Sequence, residues 1–277
     1  MSTPIACPCT FVYSVDLLRS LNTRLVPPSR QTRKTLFRFQ LWRPAYLRRH
    51  ATSSSSCLQQ PRQQPRQPPR LSSSIRVATL NAHSLRKKYV PVSDFIESSE
   101  LDVMVIVESW HHSSADVAVR RAAPPGFHFL DRPRYDDPLA TERGGGIIVY
   151  HRDHLKAKKI ELVRVPTTFE ALAVSLASDR GPTTLLALYR PGSSRPYTTV
   201  FYDEFISLMD QFALYNTQLV LVGDLNLHLE DSSLPETMEF VAVLEQFGLK
   251  QHVTESTHVS EGWFDVVVIR DDCQVSE

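Results

Sequence analysis

The stretch LVLVGDLNLH, Leu219 to His228, decides the fold class. Leu219, Val220, Leu221 and Val222 form an unbroken aliphatic run, the pattern of a strand covered on both faces. The run stops at Gly223, and a carboxylate (Asp224) and an amide (Asn226) follow at once. Groups able to hold ions or protons therefore stand where a buried strand comes to its end.

The same ending recurs along the chain. Asn81 follows VATL, Glu108 follows VMVIV and Tyr189 follows LLAL. A single polar residue after a strand is ordinarily a turn or capping residue. Four such endings in order point to strand ends that meet on one rim, which is where α/β proteins place their chemistry.

Outward from these strands the signals alternate. IRVATLNA reads as a strand, and Tyr89, Val92, Phe95 and Ile96 recur at helical spacing within a stretch from Leu85 to Glu100. DVMVIVES is the next buried strand. GFHFLDR, GGGIIVYHR, EALAVSLAS and TTLLALYRP, with turn residues between them, suggest one antiparallel meander. Phe201, Phe205, Leu208, Met209 and Phe212 predict a helix over Thr199 to Tyr215. After QLVLVGD comes a helix from Pro235 to Phe247 closed by Gly248, then a last strand, FDVVVIR. Strands in pairs as well as singly between helices predict an α+β fold with two sheets, and no internal repeat of solenoid period is present.

The chain is 277 residues long with a formal charge of +1, and that near-neutrality hides two different materials. Residues 1–75 carry eleven arginines and Lys34 against Asp16, a surplus of +11 that leaves −10 on the rest. SSSSCLQQPRQQPRQPPRLSSS, Ser53 to Ser74, offers almost nothing to bury and reads as disordered, so 1–75 is taken as a leader and 76–277 as the folded domain. Three readings of the leader stay open. Arginines among Phe37, Phe39, Trp42 and Tyr46 suit an arm on single-stranded nucleic acid; the Arg- and Ser-rich, acid-poor composition suits a mitochondrial transit peptide; a leader without a role is the third. Cys7, Cys9, Cys57 and Cys273 lack zinc-site or disulfide-framework spacing, which favours a reduced, intracellular protein. No apolar run has the length of a membrane span.

LNAHSL, DVMVIVESW, RGGGIIVY, LYRPGSS, LVGDLNLH and THVSEGWFDVVVIR, in this order, resemble the motifs of the endonuclease/exonuclease/phosphatase superfamily, whose members include enzymes similar to pancreatic deoxyribonuclease and the abasic-site endonucleases. Within it the likeness is greatest to the endonuclease domain of non-long-terminal-repeat retrotransposon polyproteins, and it covers nearly all of residues 76–271. The resemblance implies a four-layer, deoxyribonuclease-like α/β sandwich and a metal-dependent phosphodiesterase, most directly a DNA-nicking endonuclease acting in the nucleus, with RNA as the alternative substrate. It implies that Glu108 and Asn81 hold magnesium, with manganese as the alternative; few protein ligands, all oxygen, are the habit of magnesium. It implies that Asp224 deprotonates the attacking water, that Asn226 fixes Asp224 or the phosphate through its amide, and that Tyr189 donates to a phosphate oxygen. Asp265 matches the family's aspartate that orients a later histidine, although Phe264 stands where an aliphatic residue is usual. The Ser, Asp and His motif carrying that histidine is expected some tens of residues further on, beyond Glu277, so the chain reads as an incomplete member with its last strand missing and its activity impaired. His83 and His228 sit in the motifs at positions the family does not use catalytically.

Other readings follow from the same resemblance: a non-catalytic remnant that binds nucleic acid or a partner, and a relative acting on lipid phosphates or poly(A). The charge of −10 on the folded part argues against strong nonspecific duplex binding, because such binding gains affinity by displacing counterions with Lys and Arg. Arg143, Arg190 and Arg195 are expected to form a local positive track for nucleic acid.

Overall fold

The computed structural model describes residues 75–134, 144–178, 181–192, 199–215, 217–253 and 264–270, and the backbone of 9–11. The chain divides into two compact units, residues 1–22 with 74–277, and 23–73. All described residues belong to the first.

One sheet has five strands: β1 (Cys9–Phe11), β2 (Ile75–Asn81), β3 (Val103–Val107), β4 (Phe127–Arg132) and β5 (Ile147–Arg152), in the order β1-β2-β3-β5-β4. The other has six: β6 (Lys156–Ile160), β7 (Glu170–Ser178), β8 (Gly181–Tyr189), β9 (Gln218–Asp224), β10 (Leu249–Gln251) and β11 (Asp265–Arg270), in the order β10-β11-β9-β8-β7-β6. Helices α1 (Tyr89–Ser98) and α2 (Val117–Ala122) serve the first sheet, and α3 (Thr199–Ala213) and α4 (Pro235–Gln246) the second.

Alternation along each strand builds the layers. Val103, Val105, Val107 and Val149 face Val174, Leu185, Val220, Val222 and Val267 in a dry layer between the sheets. Their neighbours Met104, Ile106, Ile148 and Tyr150 point outward onto Val92 and Ile96 of α1 and Val119 of α2. Leu219, Leu221, Val266 and Val268 likewise meet Phe201, Phe205 and Phe212 of α3 and Phe240 of α4. Both faces of the central strands are covered, which is why they read as unbroken apolar runs; each fully buried aliphatic contributes about 1.5–3 kcal/mol. The result is the expected four-layer α/β sandwich.

Helix ends follow local rules. Asp116 caps α2 by accepting from the Ala118 N–H at 2.8 Å, and Pro235 opens α4, whose exit at Gly248 has φ +63°. The helix expected from Leu85 begins only at Tyr89, because Leu85 is already committed to the outer core of the first sheet.

The meander expectation needs correction. The segments of β4 and β5 pair in the first sheet, whereas those of β7 and β8 pair in the second, so the chain crosses between sheets after β5. It does so through β6, a Lys-rich edge strand. Of the leader, only Cys9–Phe11 lies among the described residues; it runs parallel to β2, with Cys9, Thr10 and Phe11 opposite Ile75, Arg76 and Val77.

Two parallel pairs decide where chemistry collects: β2 with β3 in the first sheet, and β8 with β9 in the second. The sequence-final residues of these strands lie side by side, Asn81 opposite Val107 and Tyr189 opposite Asp224. β11 runs antiparallel to β9, so its first residue, Asp265, stands opposite Asp224.

Candidate active site

The ends of the two parallel pairs meet in one hydrogen-bonded cluster. Asn81 Nδ2 donates to Glu108 Oε1 at 3.0 Å and to Asp224 Oδ2 at 2.8 Å, linking the two sheets. The Tyr189 hydroxyl donates to Glu108 Oε1 at 2.8 Å. Asn226 N–H donates to Asp224 Oδ1 at 2.8 Å, and Arg190 N–H to the Asp224 carbonyl at 2.8 Å.

The backbone is bent to make this fit. Glu108 and Asn226 have φ of +49° and +50°, a region that side-chain-bearing residues rarely enter. Gly223 has φ +141°, and a Cβ there would stand 1.9 Å from the Leu188 carbonyl oxygen on the paired strand. Only glycine lets β9 approach β8 closely enough to bring Asp224 beside Tyr189. Gly145 and Gly146 play a similar part opposite: a Cβ on either would strike Glu170 Oε1 (2.3 Å) or Ser109 Oγ (2.6 Å).

Electrostatics at the rim are dominated by acid. Burial, and then the charge of Asp265, push the Asp224 carboxyl well above its usual range, although hydrogen bonds from Asn81 and Asn226 pull it back. Burial, and then Glu108, raise the Tyr189 hydroxyl far above its ordinary value, so Tyr189 is a hydrogen-bond donor and not an acid at working pH. Lys88 donates to the Ala82 carbonyl at 2.5 Å; burial lowers its pKa while Glu108 pulls it up.

The expected residues Asn81, Glu108, Tyr189, Asp224 and Asn226 thus come together, with Asp265 buried beside Asp224. Their contacts differ in detail from the family-derived roles. Asn81 turns its amide nitrogen, not its oxygen, toward the carboxylates, while Oδ1 accepts from the His83 N–H at 3.0 Å. Asn226 fixes Asp224 through its main chain and spends its amide on the Arg190 carbonyl at 2.7 Å. Arg190 does not join a surface track: its side chain is 1% exposed and its guanidinium lies 5.0 Å over the Phe201 ring, because α3 packs across it. Arg143 and Arg195 lie outside the described residues. His228 contacts Glu230 and the Phe264 ring.

Sequence reasoning passed over two groups of neighbours. His83 Nδ1 lies 3.1 Å from Glu108 Oε2, and Trp110 Nε1 donates to the same oxygen at 3.3 Å. Ser109 Oγ, His111 Nδ1 and the half-buried Asp131 form a relay, 2.6 Å from Ser109 to His111 and 3.0 Å from His111 Nε2 to Asp131 Oδ2. The signal was present in ESWHH, where three ring-bearing residues follow Glu108 and Ser109, but nothing in the local pattern says which way each ring turns.

A sandwich of two mixed sheets with Asn, Glu, Tyr and Asp gathered where their parallel pairs end defines a hydrolase-type scaffold. The chain belongs to the Endonuclease/Exonuclease/phosphatase family, whose sequence model matches residues 78–263. Among curated proteins no sequence matches the chain significantly. Solved structures with the same fold include the endonuclease domain of TRAS1, a telomere-specific non-LTR retrotransposon (12% identity, 71% of this chain and 83% of that one, TM-score 0.50). They also include the 3′ phosphatase NExo from Neisseria, bound to a product DNA hairpin (14%, 70% and 86%, TM-score 0.50). A third is the mannosyl-6-phosphatase Bt3783 of Bacteroides thetaiotaomicron VPI-5482 (14%, 70% and 85%, TM-score 0.50). Identities this low establish the shared fold. No helix among the described residues is long and apolar enough to cross a membrane.

Proposed function

We propose that this chain is a metal-dependent phosphodiesterase that nicks DNA in the manner of retrotransposon endonucleases. The observation that carries the reading is the bridge Glu108–Asn81–Asp224: one amide nitrogen holds a partly exposed carboxylate and a fully buried one at a common rim.

The residues fit a hard divalent ion held through few protein ligands. Among the described residues no three His, Cys, Asp or Glu side chains gather at ligand distance, so no closed protein cage exists there. Glu108 supplies a carboxylate whose side chain is 13% exposed, and magnesium or manganese retaining most of its water is the kind of ion that one carboxylate holds. Asn81 would add its oxygen only by turning its amide over. When bound, such an ion neutralises charge on the phosphate and on the leaving oxygen.

The chain's own groups account for the rest. Asp224, with both oxygens held by hydrogen bonds, accepts the proton of an attacking water. The water oxygen then bonds to phosphorus as the bond to the leaving oxygen breaks. The raised affinity of Asp224 for a proton makes its ionised form a stronger base than an exposed carboxylate, and it serves as base above its raised value, once its own proton has left. Tyr189 keeps its proton throughout and offers it to Glu108 or to a phosphate oxygen replacing Glu108 as acceptor. Burial, and then the negative charge of Asp265, keep Asp224 raised.

The test is conversion of supercoiled plasmid to open circle by the full chain with magnesium or manganese. Asp224→Asn and Glu108→Gln are expected to slow nicking about a hundredfold or more, as loss of a positioned base does. No nicking with either ion, or undiminished nicking by both variants, would refute the reading and favour a remnant that only binds.

A further inference from the structure

Two rings stand beside Glu108 that the reaction outlined above does not use. His83 lies two residues past Asn81, and Trp110 two residues past Glu108. Their rings touch, with centroids 4.7 Å apart and planes inclined at 59°. Both bind the same carboxylate oxygen, Glu108 Oε2. The His83 side chain is nevertheless 64% exposed, and Trp110 is half-buried.

The segments that present these rings are strained and firmly held. His83, Ser84 and Trp110 have φ of +42°, +79° and +56°, and none is a glycine or asparagine that would enter this region easily. The two loops are stitched together by Ser84 N–H to the Glu108 carbonyl (2.8 Å) and Leu85 N–H to the Ser109 carbonyl (3.0 Å). Trp110 N–H reaches the Gly145 carbonyl at 3.0 Å. The relay of Ser109, His111 and Asp131 also fixes the second loop.

Steadying Glu108 explains the two hydrogen bonds and leaves the exposed ring contact without a purpose. A core contact would not leave His83 in solvent. The exposed His83 ring, braced by the tilted Trp110 ring at the edge of a phosphate-cleaving cluster, suits a nucleobase. Backbone electrostatics offer little here, since the chain outside the Arg-rich leader carries −10, so contact with a base would form a large share of the affinity.

We propose that the His83 ring, held in place by Trp110, is a stacking platform for an unpaired nucleobase belonging to the nucleotide that adjoins the phosphate at Glu108. The placement of that phosphate rests on the function proposed above. A base inside a duplex has both faces covered by its neighbours, so the platform selects single-stranded, frayed or extruded nucleotides. Every base has a π-face, so it selects little among the four.

Fluorescence anisotropy of the full chain in EDTA, where no strand is cut, tests this. The probes are a labelled oligothymidylate of about eight nucleotides and an oligomer of equal length whose sugars carry no bases. The base-bearing strand is expected to bind about tenfold more tightly. His83→Asn, which keeps a hydrogen-bonding group without the ring, should abolish most of that preference, and His83→Phe, which keeps a ring without the hydrogen bond, should preserve it. Equal affinity of the unmutated chain for the two oligomers, binding of neither, or a preference retained by Asn and lost in Phe overturns the proposal. Plasmid nicking, which scores strand cleavage and not affinity for bases, reads the phosphodiesterase assignment by itself. Nicking with equal oligomer affinities sinks the platform and spares that assignment; a preference for bases without nicking does the reverse.

Discussion

Gly223 and Asp224 show how much of the site hangs on two adjacent residues. Gly223→Ala drives a methyl group into the Leu188 carbonyl at a φ that alanine resists, and β8 and β9 are both covered by helices and cannot separate cheaply. The expected loss is about 3 kcal/mol, or roughly 10 °C in Tm for a body of this size; an unchanged thermal melt would refute the close approach. Asp224 makes a prediction about pH. Its folded carboxyl, raised by burial and then by Asp265, keeps a proton that the unfolded chain has released, so its contribution to stability falls as pH climbs from the ordinary carboxylate range toward the raised value. Asp224→Asn removes that dependence. In EDTA, the Tm of the variant minus that of the parent should grow more positive from about pH 5 to about pH 8, and a flat difference would show that Asp224 is not raised. Asn81, Glu108, Tyr189 and Asp224 were legible in the sequence because each interrupts an apolar run at its end. Arg190 was misjudged because charged side chains are ordinarily exposed, and only the packing of α3 reveals Phe201 beneath its guanidinium. His83 and Trp110 were illegible because a left-handed backbone at such residues is set by tertiary hydrogen bonds.

At the scale of elements, apolar periodicity carried the reading and its absence hid the rest. β2, β3, β8, β9 and β11 were evident as aliphatic runs, and α3 as a repeat of aromatic and aliphatic positions. β6 escaped because KAKKI has one buried face at most, being a charged edge strand of the kind that discourages pairing with another chain. Membership of β4 and β5 in one sheet and β7 and β8 in the other was beyond local pattern, since all four alternate alike; long-range contacts decide it. One such contact is the ion pair between Arg132 at the end of β4 and Glu170 at the start of β7, 3.2 Å apart with side chains 9% and 3% exposed. Glu170 also accepts from the Gly146 N–H at 2.8 Å. Glu170→Ala leaves a buried guanidinium without its carboxylate and is expected to cost about 3–5 kcal/mol. Glu170→Gln keeps an acceptor for Gly146 and should cost less. Equal melting temperatures for both variants and the parent would mean that the pair does not hold the two sheets together.

For the whole molecule, the decisive arrangement is a long parallel pair inside each sheet, β2 with β3 and β8 with β9. Parallel neighbours end on the same side, so β2 with β3 and β8 with β9 deliver four chain ends to one rim, and a sandwich of purely antiparallel strands would have scattered them. The same arrangement creates a hazard at β2, whose residues from Ile75 to Leu80 are apolar except for Arg76 and Thr79. In this structure β1 covers that edge opposite Ile75, Arg76 and Val77, although a sequence as poor in apolar periodicity as the leader gave no sign of a strand. A chain starting at Ser74 therefore exposes unpaired N–H and C=O groups on an apolar strand, the template on which edge-to-edge association proceeds. Size-exclusion chromatography over a range of concentrations should show that shortened chain shifting to dimers and larger species while the full chain does not. Its Tm at low concentration should fall only modestly, because three edge residues leave while the dry layer between the sheets is untouched. If the shortened chain stays monomeric at every concentration, β2 is protected by its own residues and β1 contributes nothing to the edge. If instead it fails to fold, β1 belongs to the core of the first sheet and the boundary of the folded body lies upstream of Cys9.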